Sequence, residues 1–407
     1  MSGFFTKKET QSISRPDGKT LTCYSCGLFR QVWSPRMKPY GRFKKRVMIL
    51  GESPGKNEDK KGKQWQGKAG KLLQKTLGKL GIDLFEDCVS VNAINCRPVK
   101  DGNNRTPTNF EIDCCRQQII LKVVREYKPK VIIVLGRSAL YSIIGNRWKK
   151  KLEGITKWRG WTIPDQEYKA WICPAFHPSY VMRGELEEVV TVWEQDLQRA
   201  IKTADKVFPV HREPRIHYCS SLHQLNNIKP EEVRKIAFDY ETTGLKPYKQ
   251  EHQIVCASIA VSEDEVYTFM MPEKKEERLP FVKLLRNGFI KKMAHHMKFE
   301  ENWTKEKLGF GVKNWYWDSM LAAHILDQRS GITSLKFQTY VQFGIVDYDS
   351  EIAPYLKVVD EKNSNSLNRV LELVSIKKGK KKLLKYCALD SIFEYRLAET
   401  QIKEFYG

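Results

Sequence analysis

Apolar runs alternate with amphipathic helical patterns along the first half of the chain. Residues 47–50 form an apolar, β-branched run that predicts a buried strand, and the apolar spacing over residues 72–80 predicts a helix. The alternation continues, with strands expected at 87–94, 131–135 and 171–174 and helices expected at 115–127, 138–144 and 187–202. Strands that alternate with helices at this pace predict an α/β fold with a doubly wound parallel sheet.

The rhythm breaks at residues 206–216, which contain two prolines and mixed charge. We expect this segment to link a first domain, residues 1–205, to a second domain, residues 217–407. Apolar runs at 235–238, 254–261 and 265–270 predict that the second sheet begins as an antiparallel meander. Helical patterns dominate after Phe281 and end with a helix expected at 383–403.

Three polar residues lie at or shortly after the ends of predicted strands of the first domain, namely Glu52, Asn92 and His177. Because ligands bind outside the carboxyl ends of such strands, we expect these residues to meet in one crevice. The segment 51–70 adds five lysines and Trp65, a mixture typical of a loop that lies over a polyanion, although a solvated loop is the alternative. It contains no G-x-G-x-x-G and is one residue short of a Walker A motif.

Composition narrows the class of partner. The chain has 407 residues, 70 Lys and Arg against 48 Asp and Glu, and a formal net charge of +22, which favours a nucleic acid. No apolar run is long enough to cross a membrane and no export leader is visible, so we expect a cytoplasmic protein. Ten cysteines in such a protein indicate metal ligation or buried thiols rather than disulfides.

Four of these cysteines are candidate metal ligands. Cys23 and Cys26 form a C-x-x-C pair, and Cys96 and Cys115 follow at a distance. Four thiolates can complete a zinc or an iron–sulfur site. Spacing alone leaves the other interpretation open, because further cysteines are equally available and all could be core residues: Cys88, Cys114 and Cys173.

Carboxylates mark a second centre. Asp239 and Glu241 follow an apolar run and share one face of a strand by its period of two, so both can point at one site. Tyr386 and Asp390 are four residues apart on a predicted helix, which places them side by side. Phosphodiester hydrolysis with two divalent ions, one activating water and one stabilising the leaving oxygen, needs such a carboxylate cluster.

The first half resembles the iron–sulfur (family 4) uracil-DNA glycosylases over about residues 23–200. The resemblance rests on motifs that occur in order: CYSC at 23–26, GESPGKNEDKKG and GKAGKLL within 51–73, VNAINCRP at 91–98, NRTPTNFEIDCC at 104–115, VIIVLGRSA at 131–139, ITKWRGW at 155–161 and HPSYVMR at 177–183. It implies a uracil-DNA glycosylase-like fold and a structural 4Fe–4S cluster on Cys23, Cys26, Cys96 and Cys115. The register of residues 106–108 selects Cys115 over Cys114.

This resemblance also implies roles in excising a flipped base. Asn92 matches the O4 and N3–H of uracil, and Trp65 stands where the family has a stacking Phe. His177 stabilises negative charge on the departing uracil, and Glu52 positions the attacking water. Two further residues are expected to bind substrate, with the arginine on phosphate: Ser179 and Arg183.

The second half resembles the proofreading 3′–5′ exonuclease domain of DNA polymerase I, within the DEDD exonucleases, over about residues 216–406. The motifs are DYETTG at 239–244, AHHMKFE at 294–300, WDSMLAAHIL at 317–326 and YCALD at 386–390. The resemblance implies a ribonuclease H-like mixed sheet and a catalytic Tyr386 that orients water. It implies two Mg²⁺ or Mn²⁺ ions on four carboxylates: Asp239, Glu241, Glu300 and Asp390.

One residue departs from that family. Glu300 stands where the motif has Asp and adds a methylene. Asp318 lies in the segment that supports the site, and we expect it to support the ligands, with direct ligation of an ion as the less favoured alternative. The six lysines within 377–385 fit a surface that guides a DNA strand, and a solvated face explains them nearly as well.

Together the two halves predict a bifunctional DNA repair or replication enzyme. It would excise uracil by N-glycosidic hydrolysis and degrade single-stranded or uracil-containing DNA in the 3′–5′ direction. Two alternatives stay open: a glycosylase-like half that only binds DNA or uracil, and an exonuclease half that is vestigial. Since the sequence ends at Gly407 without a polymerase domain, we expect the exonuclease to work alone or to proofread for a separate polymerase chain.

Overall fold

The computed structural model describes residues 18, 20–145, 147–148, 150–184, 186–358 and 366–407. Residues 1–17, which belong to the predicted first domain, lie outside the described residues. The chain forms two compact units, which divide between Val210 and His211.

The first unit is an α/β layer structure. Its strands are β1 (Val47–Gly51), β2 (Cys88–Asn92), β3 (Val99–Lys100), β4 (Asn103–Asn104), β5 (Val131–Leu135), β6 (Ile163–Asp165) and β7 (Ala170–Ala175). Its helices are α1 (Cys23–Cys26), α2 (Lys56–Lys61), α3 (Lys68–Lys79), α4 (Asn109–Cys115), α5 (Leu121–Tyr127), α6 (Arg137–Leu140), α7 (Ile155–Trp158), α8 (Pro178–Gly184) and α9 (Glu187–Thr203). Shorter turns are a 3₁₀ segment at Leu28–Gln31 and π-helical turns at Arg116–Ile120 and Tyr141–Gly145.

Five strands form the sheet of this unit in the order β2-β1-β5-β7-β6. The first four are parallel, and β6 pairs antiparallel to β7 at one edge. β1, β2 and β5 are buried along their whole length, as expected of parallel strands covered on both faces. Helices α3, α8 and α9 supply much of the apolar cover, with Leu73, Leu77, Trp193 and Leu197 fully buried. The parallel sheet predicted from the pattern is confirmed.

One helix differs from its prediction. Residues 106–108 are expected to open this helix, and its helical path does begin at Asn109, where Thr108 caps it by accepting from the Glu111 N–H. The expectation that Cys115 lies near the start of the helix is wrong. The capping box formed by Thr108 and Glu111 explains this earlier start. Cys115 therefore ends α4, and a π-helical turn follows it.

The second unit is built on a mixed sheet. Its strands are β8 (Arg215–Tyr218), β9 (Lys235–Thr242), β10 (Ile254–Ala260), β11 (Glu265–Met270), β12 (Lys291–Ala294) and β13 (Trp315–Asp318). Its helices are α10 (Leu279–Arg286), α11 (Met297–Trp303), α12 (Ser319–Leu326), α13 (Leu335–Phe343), α14 (Ala353–Leu356), α15 (Val370–Ser375) and α16 (Gly379–Tyr406). Leu222–Asn227 and Glu276–Arg278 are 3₁₀ segments, and Thr304–Leu308 is a π-helical turn.

The strand order of this sheet is β13-β12-β9-β10-β11-β8. The meander β9-β10-β11 is antiparallel, as predicted, and the strands outside it pair in parallel. Three of these outer strands were not predicted, because they are short and partly exposed: β8, β12 and β13. β8 starts at Arg215, within the range expected to be linker.

Helix α16 organises the second unit. It packs across the meander, and Ser391 on the helix hydrogen-bonds Ser258 on β10 at 2.6 Å. Because its four-residue periodicity carries Tyr386, Asp390 and Glu394 along one side, it brings these polar groups into the interior. No helix among the described residues is long and apolar enough to span a membrane.

Candidate functional sites

The first unit has a cavity of about 1030 Å³ at the carboxyl edge of its sheet. The loops after β1, β5 and β7 and the end of β2 all open into it, as the topology of a doubly wound sheet requires. Six residues singled out from the sequence line this cavity: Glu52, Trp65, Asn92, His177, Ser179 and Arg183.

Asn92 closes the floor of this cavity. It is the last residue of β2, is only 5% exposed, and pairs in register with Gly51 on β1. A Cβ on Gly51 would lie 2.3 Å from Asn92 Oδ1 and 3.1 Å from the Trp65 ring, so only glycine leaves room for both side chains. Asn95 fixes the turn, since its Nδ2 donates to the Asn92 carbonyl at 2.7 Å.

Trp65 and His177 form one aromatic wall. Their ring centroids are 5.7 Å apart and their planes are 28° apart, and Trp65 is 6% exposed. Trp65 has a positive φ of 59°, and a Cβ on Gly70 would lie 2.1 Å from its carbonyl oxygen. The first turn of α3 therefore lies directly against the Trp65 backbone, which holds the indole in place.

The protonation of His177 follows from its contacts. The Ser179 N–H donates to His177 Nδ1 at 3.2 Å, so the neutral ring carries its proton on Nε2. Burial lowers the pKa of His177, Arg183 lowers it further, and Glu52 acts against them. Desolvation is the largest cause, and it favours the uncharged ring.

Glu52 is oriented by the start of α6. Its Oε1 accepts from the Ser138 N–H at 3.0 Å. Gly136 has a φ of 91°, and a Cβ there would lie 2.7 Å from the Glu52 carboxyl carbon. This close approach lets the carboxylate lie across the end of β5, inside the cavity that Asn92 and His177 share.

The four predicted cysteine ligands lie around a second, small cavity. Two of their sulfurs accept backbone hydrogen bonds: Cys96 Sγ from the Arg36 N–H at 3.2 Å, and Cys115 Sγ from the Asn95 N–H at 3.3 Å. Burial raises the pKa of Cys26 and Cys96, and raises that of Cys115 to about 12. Cys114 lines the same cavity, so geometry brings five cysteines there.

The second unit has a cluster of buried carboxylates. Asp239 and Glu241 on β9 lie with Cys387 on α16 so that one ligand atom from each falls within 4.8 Å of the others. Glu300 on α11 and Asp390 on α16 are 3% and 6% exposed. Burial raises the pKa of Asp239, Glu241 and Glu300 well above the usual range, and neighbouring carboxylates raise it further.

Three further residues lie near this cluster: Asp318, Tyr386 and Glu300. Asp318 caps α12, since its Oδ1 accepts from the Met320 and Leu321 N–H groups and its Oδ2 from the Met297 N–H. Tyr386 is 8% exposed and lies one helical turn before Asp390. Glu300 Oε2 has no hydrogen-bond partner among the described residues, although it is buried.

Comparison with known proteins identifies the family to which the first unit is similar. Residues 38–198 match the model of the uracil DNA glycosylase superfamily. A type-4 uracil-DNA glycosylase of Thermotoga maritima is 36% identical over 160 residues, which are 39% of this chain and 78% of that protein. The chain belongs to the type-4 uracil-DNA glycosylase family. Its first unit is therefore a glycosylase unit with a uracil-DNA glycosylase-like fold.

The second unit matches a different family. Residues 217–401 match the model of a 3′–5′ exonuclease. The structure of Brucella melitensis NrnC with bound Mg²⁺ covers 47% of this chain and 81% of that chain, at 16% identity and a TM-score of 0.32. The match of residues 217–401 to the exonuclease model shows that the chain is an enzyme that joins a type-4 glycosylase unit to a 3′–5′ exonuclease unit.

A third relative spans both units. A DNA polymerase of Bacillus phage SP01 is 28% identical over 327 residues, which are 72% of this chain and 34% of that protein. The matched share of this chain is longer than either unit, so it includes parts of both. The chain spans about a third of the length of that relative.

Three residues of the two sites were missed from the sequence. In the glycosylase unit, Glu58 accepts from the N–H groups of Gly55, Gln66 and Gly67 at 3.0–3.1 Å and so ties together the loop that carries Trp65. Its place as the third residue of α2, from which a Glu can accept from the N–H of the N-cap residue Gly55, is the signal that could have indicated it. In the exonuclease unit, Lys336 and Tyr348 contact Asp390, and no sequence pattern near either residue indicates this contact.

Proposed function

We propose that the glycosylase unit of this chain excises uracil from DNA and that the exonuclease unit hydrolyses DNA from its 3′ end. The observation that carries the first activity is the convergence of Asn92, Trp65, His177 and Glu52 on one cavity. A flipped base can enter such a cavity only if its edge and its face both find partners.

Recognition of uracil is assigned to Asn92 and Trp65. The Asn92 amide offers one donor and one acceptor, which match O4 and N3–H of uracil, whereas cytosine presents the opposite pattern. Since Asn92 is nearly buried, a mismatched base would leave a polar group unpaired, which costs about 1–3 kcal/mol. Trp65 supplies an aromatic face at the same cavity, on which the base can stack.

Charge stabilisation is assigned to His177. Cleavage of the glycosidic bond leaves negative charge on the departing base. A neutral His177 with its proton on Nε2 donates a hydrogen bond to that charge from a desolvated position, where such a bond is strongest. Glu52, held by the Ser138 N–H, accepts a proton from the water that attacks the sugar carbon.

DNA binding is assigned to the rim of the cavity. Lys56, Lys68, Arg137 and Arg183 line it, so its margin is positively charged. Such side chains contact phosphates and hold the strand without reading its sequence. Ser179, at the start of α8, is assigned to the same substrate contacts.

The cysteine site fits an iron–sulfur cluster. Backbone N–H groups point at the sulfurs of Cys96 and Cys115, an arrangement that stabilises thiolates bound to metal. We propose that Cys23, Cys26, Cys96 and Cys115 hold a 4Fe–4S cluster with a structural role. When bound, the cluster would tie α1 to the end of α4 and to the loop after β2.

The carboxylate cluster fits divalent ions. Only hard oxygen ligands in such number suit Mg²⁺ or Mn²⁺, and the unpaired, buried Oε2 of Glu300 needs a positive partner. We propose that Asp239, Glu241, Glu300 and Asp390 hold two such ions, which supply an activated water and charge stabilisation. Tyr386 would orient that water from α16.

One assay separates the two activities. A single-stranded DNA with one uracil and a 5′ label is incubated with the chain in EDTA, treated with alkali, and then tested again with Mg²⁺. Cleavage at uracil in EDTA measures excision, and a Mg²⁺-dependent ladder from the 3′ end measures hydrolysis. Asn92→Ala should abolish only the first signal and Asp239→Ala only the second. DNA binding without any alkali-labile product would contradict uracil excision. It would favour the alternative in which the glycosylase unit only binds DNA or uracil.

We also propose a DNA polymerase as a partner. The support is the Bacillus phage relative, in which segments similar to both units are part of a DNA polymerase. Proofreading predicts that a mismatched 3′ end is removed faster than a paired one. Equal rates on the two ends would contradict this role.

A further inference from the structure

Lys336 is a buried cation in contact with the carboxylate cluster. It is the second residue of α13, and its side chain is 14% exposed. Its Nζ forms an ion pair with Asp390 Oδ1 and hydrogen-bonds the hydroxyl of Tyr348 at 2.9 Å. The Tyr348 hydroxyl also donates to Asp390 Oδ1, at 2.7 Å.

Two aromatic rings complete this environment. Lys336 Nζ lies 4.3 Å from the ring centroid of Tyr348 and 4.4 Å from that of Tyr386. Both distances are within the range of cation–π attraction. The ammonium is therefore held by a carboxylate, a hydroxyl and two rings, and a flexible lysine is fixed at the centre.

Charge balance explains why a cation is buried there. Asp239, Glu241 and Asp390 interact electrostatically in a desolvated region, as does Glu300 with Asp239, and burying unpaired negative charge is costly. Lys336 compensates part of that charge. A divalent ion bound by the same carboxylates would do the same, and two cations that share one cluster repel each other.

From these contacts we propose that Lys336 is a resident cation that competes with divalent ions for the negative charge of the exonuclease centre. This inference rests on the proposed exonuclease function. Lys336 then sets the metal concentration at which the centre fills, and it keeps Asp390 paired when no ion is bound.

The test measures metal binding rather than activity. Mn²⁺ is titrated calorimetrically into the full chain and into Asp239→Ala, and the difference between the two isotherms defines binding at the centre. Lys336→Met keeps the length and apolar stem of the side chain but removes its charge. We expect its Mn²⁺ affinity at the centre to rise by roughly tenfold, since a like charge is removed from a partly desolvated site.

Matched variants separate this effect from changes in overall charge and in folding. Lys403→Met removes the same charge from an exposed position on α16 and should leave Mn²⁺ affinity within about twofold of wild type, since exposed charges are screened. Lys336→Arg keeps the cation and should bind Mn²⁺ no more tightly than wild type. If Lys336→Met does not fold, Lys336→Gln replaces it, since its amide can still donate to Asp390.

The outcomes distinguish a failure of the proposed metal centre from a failure of the proposed competition by Lys336. If the wild-type chain and Asp239→Ala bind Mn²⁺ identically, the proposed metal centre itself is wrong. If they differ but the neutral variant binds Mn²⁺ as wild type does, or more weakly, competition by Lys336 is overturned and the exonuclease proposal stands. Tighter binding by Lys336→Arg would also overturn it.

Discussion

The indole of Trp65 is stacked on the imidazole of His177, with ring centroids 5.7 Å apart. This contact joins two residues that are separated by more than a hundred positions and that follow different strands of the sheet, β1 and β7. The residue proposed to stack on the base and the one proposed to stabilise its charge therefore support each other before substrate arrives. The base meets a surface that is already assembled.

Trp65 should be replaceable by Phe but not by Ala. The indole Nε1 is buried without a hydrogen-bond partner among the described residues, so Phe loses no polar contact and keeps the aromatic face. We expect Trp65→Phe to excise uracil within about threefold of wild type. Trp65→Ala should be slower by about 10–100-fold, because stacking is worth about 1–3 kcal/mol per base. Single-turnover excision in EDTA measures both rates.

The exonuclease ladder of each Trp65 variant is the internal control and should not change. Equal excision by the Phe and Ala variants would show that the ring does not stack on the base.

Glu58 should be required for excision although it does not reach the base. Its carboxylate holds the N–H groups of Gly55, Gln66 and Gly67 at 3.0–3.1 Å, so it fixes the loop on both sides of Trp65. Glu58→Gln keeps the shape but weakens charge-assisted bonds, each worth about 1.5–3 kcal/mol. We expect excision to fall by about tenfold or more. Glu188→Gln, on an exposed turn of α9, should excise at the wild-type rate.

A loop effect has a distinct signature. Glu58→Gln should lower excision at saturating DNA and also broaden the tryptophan emission, since Trp65 loses its fixed place. A rate equal to that of Glu188→Gln would contradict the assigned role.

Much of the fold followed from the periodicity of apolar residues, because fully buried parallel strands such as β1 and β5 leave a continuous apolar signal. The outer strands of the second sheet gave no such signal. β12 carries Lys292, which is fully buried and whose Nζ donates to the carbonyls of Asn287 and Ile290. A lysine inside a strand is satisfied only by the tertiary fold, and no local pattern reveals it.

The sites show the same division. Residues placed by sequence neighbours, such as Asp239 and Glu241 on one strand, could be brought together by periodicity alone. Lys336 reaches Asp390 from 54 positions away, and the loop between α13 and α14 brings Tyr348 to the same carboxylate. Such contacts depend on how helices pack, which the sequence pattern does not specify.

Cys115 and Cys114 should differ in cluster binding. Both line the same small cavity, but Cys115 Sγ accepts from the Asn95 N–H and, at 3.6 Å, from Asn95 Nδ2. We expect Cys115→Ser to lose most of its iron and its brown colour, with Cys114→Ser retaining both. Iron content and visible absorbance of freshly purified protein check this. Iron loss in Cys114→Ser alone would show that Cys114, and not Cys115, is the fourth ligand. Zinc found in place of iron would show that the four cysteines form a zinc site rather than an iron–sulfur cluster.

Glu300→Gln should stabilise the metal-free chain. Burial raises the pKa of Glu300 well above its ordinary value. At neutral pH, burying this carboxyl therefore costs the folded state free energy, whereas in the unfolded state the carboxylate is solvated and ionised at no such cost. Removing the ionisable group should raise the unfolding free energy in EDTA by about 1–3 kcal/mol. The increase in melting temperature that Mg²⁺ gives the wild type should shrink or vanish, because one carboxylate is lost.

Glu301→Gln, at the neighbouring position, is the matched control, and it should change the unfolding free energy in EDTA in the opposite direction. Glu301 accepts from Trp315 Nε1 at 2.9 Å and from the Val312 N–H at 3.0 Å, and such bonds lower its pKa despite desolvation. Loss of the Glu301 carboxylate should destabilise the metal-free chain. It should leave unchanged the increase in melting temperature that Mg²⁺ gives. Destabilisation by Glu300→Gln in EDTA would show that Glu300 is satisfied without an ion.

Glu394 should make the metal-free exonuclease unit less stable as pH rises. Burial raises the pKa of Glu394 to about 8 from an ordinary value of 4.5. Between these values the folded state holds a proton that the unfolded state has released, so the unfolding free energy falls with rising pH. Above about pH 8 both states are ionised and the contribution is constant.

His295 limits the window in which this is measured. It lies 3.7 Å from Glu394, and burial lowers its pKa to about 4 from 6.5, so it makes the unfolding free energy rise with pH between those values. Between pH 7 and 8 His295 is largely neutral in both states, so the Glu394 proton is the main difference within this pair. There the wild-type unfolding free energy in EDTA should fall by about 1 kcal/mol per pH unit more steeply than that of Glu394→Gln. Urea unfolding at several pH values gives both slopes, and parallel slopes would mean that Glu394 is already ionised in the folded protein.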